Sequence, residues 1–216
     1  MSFSKDPVLD LFDDLEDGVA LPIEDGQLHY FANALNESEA DTLMPHCLTD
    51  LPWRQDHIRI AGKSIPIPRL QCWLGTPDAH YSYSNIALRP QPWPEFLLKI
   101  KARVETLCAH SFNSALVNYY RDGADSVDWH SDDEQELGED PIIVSLSLGA
   151  SRVFELKHRY KKRLPTLKTS LSHGSVLIMK GSTQQNWRHR VAKVKGLDEA
   201  RVNLTFRHIL RKKVAG

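Results

Sequence analysis

Within the segment Asp-Trp-His-Ser-Asp-Asp-Glu, His130 and Asp132 lie two residues apart, so on extended backbone both side chains leave the same face and can meet at one ion. Alone the pair says little, because ten histidines in one chain make such spacings common. A third candidate ligand, His189, follows in the segment Asn-Trp-Arg-His-Arg-Val on a later strand-like stretch. Two imidazoles and one carboxylate make the facial set that leaves three positions open on Fe(II) for a cosubstrate and oxygen.

The sequence RVNLTFR at 201–207 carries the second signal. With period 2, Arg201, Asn203, Thr205 and Arg207 point to one side of a strand, and Val202, Leu204 and Phe206 to the other. The apolar side belongs to a core. Two arginines on the opposite side are costly to bury unless a dianionic partner neutralises them. A dicarboxylate is such a partner, since guanidinium grips carboxylate through two hydrogen bonds and Asn and Thr add neutral donors. An exposed strand face with two solvated arginines has the same pattern, so the alternation leaves both readings open. Asn118 and Tyr120 also share a face, are polar within an apolar strand, and precede His130 by one hairpin.

These residues need a β framework to converge. Segments 112–120, 141–150, 151–159, 167–172, 175–181, 186–194 and 201–210 are short and β-type, separated by Gly, Asp and Pro, which reads as an antiparallel sandwich or barrel and not as alternating βαβ units. Upstream, residues 28–35 read as a strand, followed by Asn36 or Ser38 capping a helix through Glu39, Ala40, Leu43 and His46. A second helix starts near Pro94, which a first turn tolerates, and repeats Phe96, Leu97, Ile100, Val104, Leu107 and Cys108 at three- and four-residue spacing. The stretch 157–165, KHRYKKRLP, reads as an exposed basic hairpin, and GKSIPIPR at 62–69 as a loop or edge.

At 216 residues, with 41% hydrophobic and 25% charged composition, the chain suits one sizeable core. The formal net charge of −1 excludes a uniformly basic coat, yet residues 1–50 hold twelve acids and one base, leaving the remainder at +10. That split fits a polyanion-binding body behind an acidic leader. Residues 1–25 are expected to be an acidic mobile arm, and 26–213 a single domain with ordered structure from about Leu28. Three cysteines, Cys47, Cys72 and Cys108, are odd in number and in no Cys-x-x-Cys spacing, which argues against a disulfide framework or thiolate zinc site. A reducing compartment is expected, cytoplasmic, or nuclear in a eukaryote, with no membrane association.

Taken in order, Asn118-x-Tyr120, His130-x-Asp132, His189 and Arg201 to Arg207 resemble the AlkB family of Fe(II)/2-oxoglutarate dioxygenases over roughly residues 60–210, most closely its animal DNA-repair members, which share the DDE after the metal histidine and the RVNLTFR strand. The resemblance implies a mainly β double-stranded β-helix, or jelly roll, with supporting N-terminal helices. It places His130, Asp132 and His189 on iron. Asn118, Tyr120, Arg201, Asn203, Thr205 and Arg207 are to hold 2-oxoglutarate, with O2 as the other cosubstrate.

The implied substrate is a base alkylated on its pairing edge, of the 1-methyladenine or 3-methylcytosine type, in DNA, with RNA as the second option, handled by a monomer. The alkyl group is hydroxylated and leaves as formaldehyde. A base must leave the stack for such chemistry, and a lesion that blocks pairing costs less to extrude. Within a nucleotide-recognition segment at about 55–90, Tyr83, with Tyr81 nearby, is expected to stack on the flipped base. Asp133 and Glu134 resemble the family's acidic pair near the substrate, which favours cationic bases. Arg69, Lys63 and the basic hairpin are candidates for phosphate contact. Ile60, Ala61 and Gly62 align with the wedge of duplex-active relatives but include no aromatic side chain, which leaves single-stranded substrates open. A 2-oxoglutarate oxygenase of protein or another substrate, and a non-enzymatic cupin-like module holding Zn(II) or Ni(II), are the alternatives.

Overall fold

The protein is described by a computed structural model covering residues 18–60, 62–79, 81–83 and 86–210. In chain order the elements are β1 (Val19–Leu21), β2 (Gln27–Phe31), α1 (Glu37–Asp50), β3 (His57–Ile60), β4 (Lys63–Pro66), β5 (Leu70–Gly75), β6 (Tyr81–Tyr83), β7 (Ile86–Leu88), α2 (Glu95–Cys108), β8 (Ser114–Tyr120), β9 (Val127–His130), β10 (Ile143–Gly149), β11 (Arg152–His158), β12 (Leu167–Leu171), β13 (Val176–Lys180), α3 (Thr183–Asn186), β14 (Trp187–Val191) and β15 (Arg201–Arg207). A seven-stranded sheet in the order β1-β2-β13-β10-β15-β8-β5 faces a four-stranded sheet in the order β12-β11-β14-β9. Pairing within both is antiparallel, which is the jelly-roll architecture expected.

Period-2 alternation on the large sheet builds two separate cores. Val144, Leu146 and Leu148 of β10, Val202, Leu204 and Phe206 of β15, and Ala115 and Val117 of β8 pack beneath α1 and α2, against Leu43, Cys47, Leu97 and Val104. Residues of the other parity, including Leu116, Ile143, Leu177 and Met179, meet Phe154, Leu156, Trp187 and Val191 of the small sheet. Val202, Leu204 and Phe206 are fully buried, contributing roughly 1.5–3 kcal/mol each. They also lock the register, because a slip of one residue would drive both strand arginines into the helix-packed core.

The helices begin as their sequences direct. Asn36 caps α1 through a reciprocal box, its Oδ1 accepting from Glu39 N and its own N–H donating to Glu39 Oε2, both at 2.9 Å. Pro94 stands one position outside α2, as its N-cap, and not in the first turn. The basic stretch 157–165 does connect two hairpin strands, β11 and β12, and GKSIPIPR enters the separate β3–β4 hairpin, outside the large sheet.

The expected arm to residue 25 requires correction. Val19 to Leu21 pair with Tyr30 to Leu28 as an edge strand, Leu21 and Ile23 pack on the inter-sheet core, and the Trp187 indole N–H donates to Glu24 O at 2.8 Å. Acidic neighbours disguised a strand only three residues long. The rest of the expected arm, residues 1–17, lies outside the described residues, as do 211–213 of the expected domain.

Candidate metal and cosubstrate site

His130 ends β9 and sits directly across from His189 on β14 in the small sheet, so strand pairing brings the two imidazoles to a centroid separation of 4.3 Å. Asp132 lies just past β9 and is steered by its backbone N–H, which donates to Gln184 Oε1 of α3 at 3.0 Å. Its Oδ2 is 3.9 Å from His189 Nε2, and one ligand atom from each of the three residues falls within 4.8 Å of the others. Sequence positions 59 residues apart thus converge through a single ladder.

The chemistry of this donor set fits a divalent transition metal. His130 Nδ1 is 2.8 Å from the Asp128 carbonyl, which can only accept, so that nitrogen carries the proton and Nε2 keeps its lone pair for a metal. His189 stacks on Phe154 with centroids 5.0 Å apart. Burial pushes both imidazole pKa values down, His189 to about 3 with His130 adding to the effect, which favours the neutral, ligating form. Burial alone would raise Asp132, but the Arg207 guanidinium and the two imidazoles outweigh it and bring the carboxyl to about 2. Two neutral nitrogens and one carboxylate, fixed on one side of a cavity, match Fe(II) with open positions.

The polar face of β15 turns inward, toward the small sheet. Arg207 Nη2 donates to Asp132 Oδ1 at 2.6 Å. Thr205 Oγ1 donates to Asn203 Oδ1 at 3.0 Å, and Asn203 Nδ2 donates to Ser145 Oγ at 2.7 Å and Leu146 O at 3.0 Å. Arg201 Nη2 donates to Ser147 Oγ at 2.9 Å, while its Nε and Nη1 are buried with no acceptor. Burial lowers the Arg201 pKa to about 10. Arg201 is 1% and Arg207 2% exposed, which removes the solvated-arginine reading of this strand. A buried guanidinium with two idle donors fits an anionic ligand that the protein alone does not supply.

From β8, Asn118 and Tyr120 line the same cavity as the three metal-ligand candidates, Arg201, Asn203, Thr205 and Arg207. Ser145 and Ser147 of β10 were absent from the expected set. Their signal was the strict Ser-Leu alternation of β10, which places two hydroxyls opposite Thr205 and Asn203 in register.

The nucleotide-side expectations fare differently. Arg69 is not a surface phosphate ligand: it is 5% exposed, its Nε donates to Asn118 Oδ1 at 2.8 Å, its Nη1 reaches Ser126 O at 3.3 Å, and it lines the cavity. Its place immediately before β5, which pairs with β8, turns it inward. Asp133 accepts from Arg159 Nη1 at 2.6 Å, so the acidic pair begins with a tie to the basic hairpin. Glu134 precedes a short 3-10 turn at Gln135–Leu137. Neither acid is among the described residues lining the cavity. Ile60 ends β3, and Gly62 stands exposed just before β4 with φ +80, a conformation glycine adopts freely; Ala61 lies outside the described residues. Tyr81 and Tyr83 occupy β6, paired with Leu88 and Ile86 of β7, and their side chains lie outside what the structure describes.

Comparison with known proteins agrees with this geometry. The 2OG-Fe(II) oxygenase superfamily model matches residues 27–207. Alpha-ketoglutarate-dependent dioxygenase alkB homolog 3 of Mus musculus is 43% identical over 182 residues, covering 79% of this chain and 62% of that protein. The Homo sapiens protein of the same name is 43% identical over the same length. DNA oxidative demethylase ALKBH2 of Homo sapiens is 36% identical over 159 residues, 71% of this chain and 61% of that one. The chain therefore spans less than two thirds of the length of these relatives. A solved structure of OsALKBH1 shares the fold, with a TM-score of 0.63 over 88% of this chain and all of the other, at 18% identity. Family match and convergent side chains lead to one assignment: the chain belongs to the 2OG-Fe(II) oxygenase superfamily and, within it, to the AlkB family, close to its animal members.

Proposed function

We propose that this protein is an Fe(II)- and 2-oxoglutarate-dependent dioxygenase that removes alkyl groups from nucleobases in DNA, with single-stranded DNA or RNA as accessible substrates. The observation that carries the cosubstrate half is Arg201, whose buried guanidinium keeps two donors idle beside the two-histidine, one-carboxylate cluster. The substrate half is supported by the relatives named as DNA oxidative demethylases and by the +10 charge of residues 51–216.

His130, Asp132 and His189 would hold iron, which with 2-oxoglutarate and O2 supplies the oxidant for hydroxylating an alkyl C–H bond while the 2-oxo acid becomes succinate and CO2. Arg207 touches Asp132 and so belongs to the metal-proximal end of the cosubstrate. Arg201, against the Tyr120 ring at 5.2 Å, takes the distal carboxylate, helped by Tyr120, Asn118, Asn203 and Thr205. Thr205 and Asn203 spend their donors on one another, Ser145 and Leu146, so each would exchange one of these bonds for the carboxylate on binding. A hydroxymethyl group on a cationic ring nitrogen is a hemiaminal; as the C–N bond breaks its electron pair returns to the ring nitrogen and the O–H proton is lost to solvent, releasing formaldehyde and the unmodified base.

Tyr83, with Tyr81, would stack on the flipped base, as the family resemblance implies. Asp133 and Glu134 follow the metal-ligand candidate Asp132 directly in the chain and would favour cationic lesions once Arg159 releases Asp133, and the segment from Ile60 to Gly62 would contact the nucleic acid beside the base. Lys63, Lys162 and Arg163, all exposed, are suited to phosphate. Three buried free thiols support a reducing compartment, cytoplasmic or nuclear. The test is repair of matched single- and double-stranded oligonucleotides bearing one 1-methyladenine, with Fe(II) and 2-oxoglutarate present or omitted. Formaldehyde release only in the complete mixture is expected, and none from any methylated oligonucleotide would refute the proposal.

A further inference from the structure

Arg152 opens β11 and is 1% exposed, yet among the described residues it joins no ion pair. Its Nη1 and Nη2 donate only to main-chain carbonyls, those of Asp122 at 3.3 Å, Asp125 at 2.9 Å and Ala192 at 2.6 Å, and its Nε has no acceptor. The Asp125 carboxylate is already engaged by Arg121, through Nε and Nη2 at 2.8 Å and the backbone N–H at 3.0 Å. The Arg152 charge is thus solvated by peptide dipoles and left without a carboxylate contact.

That charge stands behind the cosubstrate cavity. Arg152 Cζ is 5.7 Å from the centre of the Tyr120 ring, and Arg201 Cζ is 5.2 Å from the same ring. Two buried guanidinium groups share one phenol, and neither is paired with a protein carboxylate. At the metal end the situation is opposite, because Arg207 is matched by Asp132 at 2.6 Å. Arg69 is also buried beside His130, bonded only to Asn118 and the Ser126 carbonyl. What sets the far end apart is therefore two guanidinium groups on one phenol with no carboxylate in contact, Asp125 and Asp122 acting on Arg152 only at longer range, an arrangement that costs stability unless an anion arrives there.

We infer that Arg152 is a positioning residue for the cosubstrate: through Tyr120 and Arg201 it makes the far end of the cavity select a 2-oxo acid that carries a second carboxylate over a 2-oxo monocarboxylate. The inference rests on the 2-oxoglutarate reading above. A brace for the 121–126 loop alone would need Arg152's hydrogen bonds but not its charge beside Tyr120. That loop has an independent fastening at Gly123, whose N–H donates to Leu197 O at 2.7 Å and whose carbonyl accepts from Val194 N at 2.8 Å.

The experiment uses the full chain loaded with Mn(II), which holds the site without turnover. Calorimetric titration with 2-oxoglutarate is compared with 2-oxobutanoate, which has the same chelating end and no distal carboxylate. Wild type is expected to prefer the dicarboxylate. In Arg152→Gln, affinity for 2-oxoglutarate should fall about tenfold, the scale of one charge about 12 Å away at an effective dielectric constant of about 20. Affinity for 2-oxobutanoate should hold. Arg152→Lys, which keeps the charge and loses the fork, should retain the preference. Equal losses for both acids, equal losses in the Lys and Gln variants, or an unchanged 2-oxoglutarate affinity in Arg152→Gln each overturn the inference. Should the Gln variant fail to fold, the Lys variant decides: loss of its preference for the dicarboxylate overturns the inference, and retention supports it. A wild type that binds neither acid overturns the 2-oxoglutarate reading itself, and this inference with it.

Discussion

Arg207 on β15 and Asp132 after β9 form an ion pair of 2.6 Å across the two sheets, with side chains only 3% and 2% exposed. One contact therefore ties the large sheet to a metal-ligand candidate on the small one. It also means that the metal end and the cosubstrate end cannot be perturbed independently.

Breaking that pair from one side should cost more than removing it whole. Arg207→Met leaves a buried carboxylate without its cation and is expected to destabilise the protein by about 3–5 kcal/mol. The double variant Asp132→Ala/Arg207→Met should lose less than the sum of the single losses, by about 1–3 kcal/mol. Urea unfolding of the four proteins measures this, and strict additivity would show that the contact carries no coupling.

Arg201 should behave in the opposite way. The fall of its pKa from 12.5 to about 10 on burial corresponds to a cost of about 3 kcal/mol. The sign follows from linkage: the cost is fully present below pH 10, where the folded and unfolded forms are both protonated, and is relieved only as pH rises through the folded value. Arg201→Met, at neutral pH, is expected to leave stability unchanged or raise it while reducing 2-oxoglutarate binding at least a hundredfold. Thermal melting beside calorimetry checks both halves; a variant that melts lower and still binds would mean that Arg201 serves the fold.

The alternation of β15 was legible because two periods coincide there, an apolar set for the helix-packed core and a polar set for the cavity. His130, Asp132 and His189 were legible as types, but their union depended on the register of β9 with β14, which no local pattern encodes. Arg69 was misplaced for the same reason, since exposure of a lone arginine is set by which strand its neighbour β5 joins. Arg152 left no signal, because an arginine opening a strand resembles any other until the loop that it holds is folded around it.

Single removal of a metal ligand should abolish function without unfolding the jelly roll. His130→Ala and His189→Ala are expected to lose turnover and to bind Co(II) at least tenfold to a hundredfold more weakly, with far-ultraviolet dichroism unchanged. Most of the β ladders that define the two sheets lie away from these rings, so retained structure is the expected background. The visible absorption of bound Co(II) reports the site directly. Wild-type affinity in either variant would remove that histidine from the ligand set.

Glu24 and Asp25 bear on nucleic-acid affinity from outside the cavity. Lys161 Nζ meets Glu24 Oε1 and Asp25 Oδ2 at 2.5 Å each, and Arg163 Nη2 is 3.4 Å from Glu24 Oε1. Acids that follow the chain's most acidic stretch therefore occupy cations on the basic hairpin. Charge given to a carboxylate is not given to a phosphate, and phosphate affinity scales with the number of counterions released. Glu24→Gln/Asp25→Asn should free Lys161 and Arg163, tightening binding of an unmethylated single-stranded oligonucleotide severalfold at low salt. The slope of log K against log salt should steepen by about 0.7 per freed cation that reaches a phosphate. Fluorescence anisotropy across a salt series reads both quantities. An unchanged slope would mean that the hairpin points away from the bound strand and that the ion pairs serve only to pin β1 against β11.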